Sequence, residues 1–117
     1  MTKYVLVADD QAGIRFLLDT IIRESGLEPV LAANGKEAVE KAKKYRPELI
    51  FLDIRMPVMD GVEALSKIKE EGIDACVVLM SAYTDESFLD RARNIGFSRF
   101  LRKPFDLNDV RTILRAV

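Results

Sequence analysis

The sequence predicts an α/β protein built on a doubly wound, five-stranded parallel sheet. Apolar segments rich in strand-forming residues alternate five times with amphipathic helical segments, and the connections between them are short. The apolar segments lack polar–apolar alternation, which is typical of strands that helices cover on both faces. Crossovers between parallel strands are right-handed, and a common order for five strands is 2-1-3-4-5. We therefore expect a flavodoxin-like (βα)5 fold.

Five segments are predicted as strands. They are residues 4–8, 30–33, 49–52, 76–80 and 100–101. All except the second are short apolar runs, and we expect these four strands to be buried on both faces. The second follows Pro29, and proline at the start of a strand is tolerated best at the edge of a sheet. We therefore place the second strand at an edge.

The first two helices are predicted from their apolar spacing and their ends. In the first, apolar residues recur at the spacing of one helix face, and Gly26 ends the segment. These apolar residues are Ile14, Leu17, Leu18, Ile21 and Ile22. The second helix opens at Asn34 with Glu37 three residues later, which is a capping-box pattern, and it ends before Pro47.

The remaining three helices follow the same logic. The third runs from about Val62 to Gly72, and the fourth from about Asp85 to Gly96, so glycine ends both. The last helix has Asp106 as its N-cap, and its apolar residues again recur at helical spacing.

Length and composition exclude several classes of protein. The 117 residues fit one domain, which we expect to span residues 1–117. Hydrophobic residues make up 49% and charged residues 32%, a balance typical of folded rather than disordered chains. A net charge of −1 lacks the basic excess that binding to nucleic acid requires, so we expect no direct contact with DNA or RNA. The absence of histidine excludes a Ser-His-Asp triad and histidine-ligated zinc.

Cysteine content and hydropathy indicate the compartment. The single Cys76 forms no internal disulfide, which fits a reducing environment. The longest apolar run, residues 75–80, is far shorter than the roughly 20 residues of a membrane span. No charged-then-apolar leader precedes it. We therefore expect a cytoplasmic protein without a membrane anchor.

Polar side chains follow four of the predicted strands at the point where each strand ends. These are Asp9 and Asp10, then Asp53, Ser81 and Lys103. Taken singly, an aspartate here is usually an N-cap, a serine a turn residue and a lysine a solvated charge. Because the carboxyl ends of parallel strands meet at one edge of the sheet, however, all five side chains are predicted to converge there. This convergence favours a shared functional site.

The predicted cluster of three carboxylates requires a positive charge nearby to offset its mutual repulsion. Adjacent carboxylates repel by roughly 4 kcal/mol at an effective dielectric constant of about 20. Mg²⁺ prefers carboxylate oxygen ligands together with water and phosphate, so the cluster suits phosphoryl chemistry better than calcium storage. Mn²⁺ is an alternative cation. Lys103 would neutralise a phosphoryl group from a second side, and a carboxylate is a competent nucleophile for forming an aspartyl phosphate.

Four motifs occur together in a characteristic order and spacing. They are Asp9-Asp10, residues 52–61 (LDIRMPVMDG), Ser81-Ala82 and Lys103-Pro104-Phe105. With these motifs the chain resembles, over its whole length, the receiver domains of two-component response regulators. The resemblance implies that Asp53 accepts a phosphoryl group from a phosphohistidine on a partner. It also implies a protein that catalyses its own phosphorylation and slow dephosphorylation but is not a turnover enzyme.

The resemblance further implies a role for each surrounding group. Mg²⁺ would be held by Asp10, Asp53 and the backbone carbonyl of Arg55, and Asp9 would act through a metal-bound water.

A switch is implied at the same end of the sheet. Lys103 would pair with the phosphoryl oxygens, and Ser81 would move to hydrogen-bond one of them. Phe100 matches the aromatic residue that reorients with this hydroxyl. The family also implies a cis peptide bond between Lys103 and Pro104.

Within the family, residues 10–15 and 17–18 are similar to the single-domain phosphorelay regulators of sporulation. This similarity implies docking on a sensor histidine kinase or a histidine phosphotransferase, by a monomer or weak homodimer. The implied partner contacts are Gln11, Gly13, Ile14, Leu17, Tyr83, Pro104 and Phe105. For Ile14 and Leu17 the alternative is a place in the hydrophobic core.

Residues of the sequence argue against three other functions. A phosphatase using an aspartyl phosphate would need Asp-x-Asp, whereas Asp53 is followed by Ile54-Arg55. A flavin carrier would have its cofactor phosphate repelled by the carboxylates, and no glycine-rich phosphate loop follows the first strand. Nucleotide hydrolysis would need a P-loop, and the segment Gly35-Lys36-Glu37 lacks its upstream glycine and its following serine or threonine. A receiver excised from a larger regulator and a phosphorylation-independent scaffold both stay open.

Overall fold

Strands and helices alternate along the chain in the computed structural model, which describes residues 2–82 and 86–117. The strands are β1 (Tyr4–Ala8), β2 (Glu28–Ala32), β3 (Leu49–Asp53), β4 (Cys76–Ser81) and β5 (Arg99–Arg102). The helices are α1 (Ala12–Glu24), α2 (Gly35–Tyr45), α3 (Gly61–Glu70), α4 (Glu86–Ile95) and α5 (Leu107–Arg115). All strand pairings are parallel, in the order β2-β1-β3-β4-β5. The predicted fold and strand order are confirmed.

Strand register aligns the ends of the strands. Ala8 of β1 lies opposite Leu52 of β3, and Ser81 of β4 lies opposite Arg102 of β5. The residues that come next in the chain therefore leave the sheet at a common edge. They are Asp9 after β1, Asp53 at the end of β3 and Lys103 after β5.

Helices cover both faces of the sheet and enclose two hydrophobic clusters. Along β1 and β3, alternate side chains enter opposite clusters, as expected for the two-residue repeat of a strand. Leu6 and Ile50 pack with the apolar faces of α2, α3 and α4. Val5 and Phe51 pack with those of α1 and α5. Burial of β1, β3 and β4 on both faces is thus confirmed.

The two edge strands differ from their sequence-based predictions. Burial of β5 on both faces is confirmed only in part: Leu101 is buried in the cluster with α1 and α5, Phe100 is half-buried against the opposite cluster, and Arg99 and Arg102 at the strand ends are exposed. The predicted edge position of β2 is confirmed, but β2 begins at Glu28 and so contains Pro29. An edge strand accommodates proline because some of its N–H groups face away from the sheet.

Side-chain caps begin α2 and α5 as predicted, and a further cap begins α3. Asn34 accepts a hydrogen bond from the Glu37 backbone N–H at 2.9 Å, and Glu37 reaches back to accept from the Ala33 N–H at 3.3 Å. Asp60 caps α3 by accepting from the Glu63 N–H at 2.8 Å, and Asp106 caps α5. The capping box at α2 anchors the turn that follows β2.

Replacing the α2 cap should lower stability measurably. Asn34→Ala leaves the Glu37 N–H without its side-chain acceptor, and we expect a loss of about 1 kcal/mol in the free energy of unfolding, measured by urea denaturation. Asn94→Ala, at an exposed position in the last turn of α4, is the control and should stay within about 0.5 kcal/mol of the native protein. Equal losses in the two variants would contradict this account of the cap.

Hydropathy gives no sign of a transmembrane segment in the described ranges. None of the helices found there combines the length and apolar character needed to cross a bilayer.

Candidate functional site

The carboxyl edge of the sheet gathers the polar residues predicted from the sequence. Carboxylate oxygens of Asp9, Asp10 and Asp53 all lie within 4.8 Å of one another. Asp9 and Asp53 are buried, whereas Asp10 is exposed at the rim. Lys103 reaches the same cluster from the loop after β5. The predicted convergence of strand-end side chains at one site is therefore observed for these four residues.

Asp9 is held rigidly at the base of the site. Its side chain is fully buried, and its two oxygens accept from different donors: Oδ2 from the Lys103 ammonium at 2.6 Å and Oδ1 from the Gln11 backbone N–H at 2.9 Å. The main-chain carbonyl of Asp9 accepts from the Arg15 guanidinium at 2.8 Å. These bonds fix both the backbone and the carboxylate of Asp9.

Lys103 bridges the acidic residues. Its Nζ lies 2.6 Å from Asp9 Oδ2, 3.5 Å from Asp53 Oδ2 and 3.3 Å from the side-chain carbonyl of Gln11. Its backbone N–H donates to the Ser81 carbonyl at 2.8 Å. The peptide bond from Lys103 to Pro104 is cis, as predicted. The ammonium thus interacts with both buried carboxylates.

The environment of Asp53 raises the pKa of its carboxyl from 3.8 to about 7. Burial contributes most, because it disfavours the charged form, and the negative charge of Asp9 adds to it. Lys103 opposes the shift, and Asp10 makes a smaller contribution in the same direction as Asp9. Near neutral pH, the carboxylate of Asp53 is consequently costly to maintain without an additional positive charge nearby.

The donor set fits a hard divalent cation. Three carboxylates supply oxygen ligands within a small volume, and exposure of Asp10 leaves one side open to water and to a phosphoryl oxygen. A cation there would offset the mutual repulsion of the carboxylates and favour the ionised form of Asp53. The composition of the cluster matches the ligands that Mg²⁺ takes in phosphoryl-transfer sites.

The predicted switch residues lie on the neighbouring strands β4 and β5. Ser81, at the end of β4, is 1% exposed, and its hydroxyl donates to the Ala82 carbonyl at 2.9 Å. Phe100 is half-buried and packs against the hydrophobic cluster that α2, α3 and α4 cover. Movement of Ser81 and reorientation of Phe100 stay predictions.

A cleft of about 640 Å³ opens above the acidic cluster. Its lining comprises Asp10, Gln11, Ile14, Leu17, Asp53, Arg55, Ala82, Lys103, Pro104 and Phe105. Five of the seven predicted partner contacts therefore adjoin Asp53 in one cleft. Gly13 is exposed on α1 and is not part of the lining, and Tyr83 lies outside the described residues. Ile14 and Leu17 are half-buried against the core and also line the cleft, so their role as partner contacts stays a prediction.

Two supporting residues, Arg15 and Gly61, received no role in the sequence analysis, although both stand in segments that it singles out. Arg15 binds the Asp9 carbonyl, and no pattern in the sequence distinguishes it from a solvated helix residue. Gly61 begins α3 where a Cβ atom would lie 2.1 Å from the Asp53 carbonyl oxygen. The pair Asp60-Gly61 is a detectable signal, because glycine after a helix cap allows close approach of another backbone.

Comparison with known proteins agrees with this geometry. The sequence profile of the response regulator receiver domain matches residues 5–115. The chain belongs to the response regulator receiver domain family. Sporulation initiation phosphotransferase F of Bacillus subtilis is 34% identical over 98% of this chain and 93% of its own length.

Two further relatives extend the comparison. Transcriptional regulatory protein PdtaR of Mycobacterium tuberculosis is 40% identical over 92% of this chain, which spans about half (53%) of that protein. A solved structure of the chemotaxis protein CheY4 of Vibrio cholerae superposes with a TM-score of 0.89 and 28% identity, and the match covers 100% of this chain and 99% of the other. The sequence-based assignment to the receiver family is therefore confirmed.

Membership of the family settles the general function. The chain is a receiver domain of two-component and phosphorelay signalling, homologous to the chemotaxis and sporulation regulators. Receiver domains are phosphoacceptors rather than turnover enzymes, and they bind Mg²⁺ at an acidic site. Receiver relatives work with histidine kinases and phosphotransferases in phosphorelays.

Proposed function

We propose that Asp53 is the phosphoacceptor of this receiver domain and takes its phosphoryl group from a phosphohistidine of a partner protein. The observation that carries the proposal is the buried Asp53 carboxylate, which faces a cleft between two further carboxylates and the Lys103 ammonium. This arrangement supplies a nucleophile, oxygen ligands for a cation and a fixed positive charge within one small volume.

Transfer begins with attack of a carboxylate oxygen of Asp53 on phosphorus. The new O–P bond forms as the P–N bond of the donor breaks, and the electron pair of that bond stays on the leaving ring nitrogen. With its other nitrogen protonated, the imidazole leaves as a neutral group. The reaction needs the ionised form of Asp53, whose pKa of about 7 leaves a large fraction protonated near neutrality.

Positive charge within the site favours the transfer. Asp10, Asp53 and the backbone carbonyl of Arg55 would hold Mg²⁺, with Asp9 acting through a water, and Mn²⁺ is the alternative. The bound cation supplies charge neutralisation for the phosphoryl oxygens. Lys103, already 3.5 Å from Asp53, contributes a second positive charge that needs little rearrangement.

Phosphorylation would then bias the loops around the site. In this proposal Ser81 exchanges its bond to the Ala82 carbonyl for one to a phosphoryl oxygen, and Phe100 reorients with it. A local change of charge thereby selects between two arrangements of the chain near β4 and β5. The domain would catalyse its own phosphorylation and a slow dephosphorylation.

A sensor histidine kinase or histidine phosphotransferase would dock over the cleft. Its proposed contacts are Gln11, Gly13, Ile14, Leu17, Tyr83, Pro104 and Phe105, of which five line the cleft beside Asp53. Apolar side chains around a polar centre are typical of a surface that excludes water from a transfer reaction. We propose a monomer or weak homodimer that works in the cytoplasm without direct contact with nucleic acid.

Residues 1–117 are proposed to form one receiver domain. Because the chain spans most of the sporulation relative and about half of PdtaR, action as a single domain and action beside an output domain are both compatible with the proposal.

Intact-mass spectrometry after incubation with acetyl phosphate tests the assignment of Asp53. We expect one phosphoryl group on the native protein in the presence of Mg²⁺ and none after chelation. Asp53→Ala should stay unmodified, whereas the control Asp74→Asn, exposed in the loop before β4, should react like the native protein.

Two outcomes would contradict the proposal. Phosphorylation of Asp53→Ala would place the acceptor at another residue. A folded native protein that binds Mg²⁺ and stays unmodified would favour the phosphorylation-independent scaffold.

A further inference from the structure

The carboxylate of Asp10 depends on the main chain for its position. Asp10 is exposed, yet one of its oxygens lies within 4.8 Å of carboxylate oxygens of Asp9 and Asp53. Within residues 2–82 and 86–117, no group forms a hydrogen bond or an ion pair with the Asp10 carboxylate. The direction in which this carboxylate extends is therefore set by the backbone that carries it.

Arg15 holds that backbone. The carbonyl of Asp9 belongs to the peptide unit that joins Asp9 to Asp10, and it accepts a hydrogen bond from the Arg15 guanidinium at 2.8 Å. Arg15 is half-buried in the first turn of α1, and a hydrogen bond from a charged donor is stronger than one between neutral groups. The bond opposes rotation of the peptide plane next to Asp10.

We propose that Arg15 is a positioning residue for the cation site: by holding the Asp9 carbonyl, its guanidinium fixes the peptide plane from which the Asp10 carboxylate reaches the cation. The proposal rests on the metal site described under the proposed function and adds to it a residue that is not itself a ligand. Removal of groups that orient metal ligands commonly weakens metal binding by roughly 10- to 100-fold.

A purely structural role for Arg15 is the alternative. Its bond also ties α1 to the end of β1, so its loss would lower the stability of the fold even if the metal ligands stayed in place. In that case the free energy of unfolding in chelator would fall, while the folded protein would still bind Mg²⁺ with native affinity. A positioning role requires the affinity for Mg²⁺ itself to change.

Isothermal titration calorimetry with Mg²⁺ measures this affinity on the folded protein. In Arg15→Gln a shorter, neutral side chain replaces the guanidinium, and we expect the Kd for Mg²⁺ to rise about tenfold. Arg15→Lys keeps the charge and an N–H donor, so its Kd should stay within about threefold of the native value. Arg23→Gln removes the same charge from the exposed end of α1 and should bind Mg²⁺ like the native protein.

Three outcomes of the titration would overturn the proposal. They are a native Kd for Arg15→Gln, an equal loss of affinity in Arg23→Gln, and a native protein that binds no Mg²⁺. A native protein that binds Mg²⁺ but is not phosphorylated by acetyl phosphate would instead contradict the assignment of Asp53 as phosphoacceptor, and the role of Arg15 would stand.

The amide nitrogen of Asp10 gives a second readout that needs neither metal nor donor. It belongs to the same peptide unit as the Asp9 carbonyl, and a hydrogen bond to that oxygen polarises the whole unit. In metal-free protein the ¹⁵N resonance of Asp10 should therefore move further in Arg15→Gln than in Arg23→Gln. An unchanged resonance in Arg15→Gln would refute the contact and with it the positioning role.

Discussion

Asp53→Asn is expected to stabilise the protein by about 4 kcal/mol at pH 8 in the absence of divalent cations. The folded protein holds the pKa of Asp53 at about 7, against 3.8 for an ordinary aspartate, and a pKa difference of this size corresponds to about 4 kcal/mol. Above pH 7 the native chain must ionise a buried carboxyl next to Asp9, which the unfolded chain ionises freely. The amide of asparagine carries no charge at any pH and avoids this cost.

The sign of the pH dependence follows from proton binding. Between pH 4 and pH 7 the folded state retains a proton on Asp53 that the unfolded state has lost, so this group lowers the stability of the native protein as pH rises. Urea unfolding of both proteins in chelator should show the advantage of Asp53→Asn shrinking as pH falls from 8 towards 4. An advantage that is equal at pH 8 and pH 4 would refute this explanation.

Magnesium and a remote variant provide the controls. Mg²⁺ should raise the urea concentration at the midpoint of unfolding more for the native protein than for Asp53→Asn, because the variant lacks one of the carboxylate ligands. Asp74→Asn removes the same charge at an exposed site and should shift the free energy of unfolding by less than about 0.5 kcal/mol at either pH.

Gly61→Ala should destabilise the fold by about 3 kcal/mol and impair phosphorylation as well. A Cβ atom at this position would lie 2.1 Å from the Asp53 carbonyl oxygen and 2.8 Å from the Ile54 Cα. Both are backbone atoms, so the start of α3 or the end of β3 must move. The Gly61 N–H also donates to the Ile54 carbonyl at 2.7 Å, a bond that this movement would stretch.

Gly13→Ala is the matched control for this substitution. A Cβ atom at Gly13 has no neighbouring atom within 4 Å, and the residue lies in the first turn of α1. Alanine is favoured over glycine in helices, so Gly13→Ala should raise the free energy of unfolding by about 0.5 kcal/mol. The urea midpoints of unfolding of the two variants test this prediction. A native-like midpoint for Gly61→Ala would contradict the close approach of Gly61 to the end of β3.

Hydrophobic pattern and local capping were sufficient to predict most of the fold. β1, β3 and β4 are continuous apolar runs, and the ends of α2 and α5 carry cap residues that act as expected. The burial predicted for β5 holds for Leu101 but only in part for Phe100, and the sequence does not show how completely the helices cover an edge strand. Pro29 indicated an edge correctly, but the first residue of β2 depends on pairing with β1.

The candidate site was also predictable only in part from the sequence. Asp9, Asp53 and Lys103 were predictable because each follows an apolar run, and parallel strands end at one edge of the sheet. The cleft beside them, and the place of Ile14 and Leu17 in its wall, depend on how α1 packs against the sheet. A helical pattern alone assigns these two residues equally well to the core.

The sequence by itself determined the class of fold, the family and the acidic groups, because these depend on periodicity and on residues adjacent in the chain. Only the tertiary structure decided which acceptors surround the Lys103 ammonium, how far burial raises the pKa of Asp53, and how closely Gly61 approaches β3. Each of these depends on distances of a few ångströms between segments remote in sequence. Such distances arise from the packing of the whole domain, which no local pattern encodes.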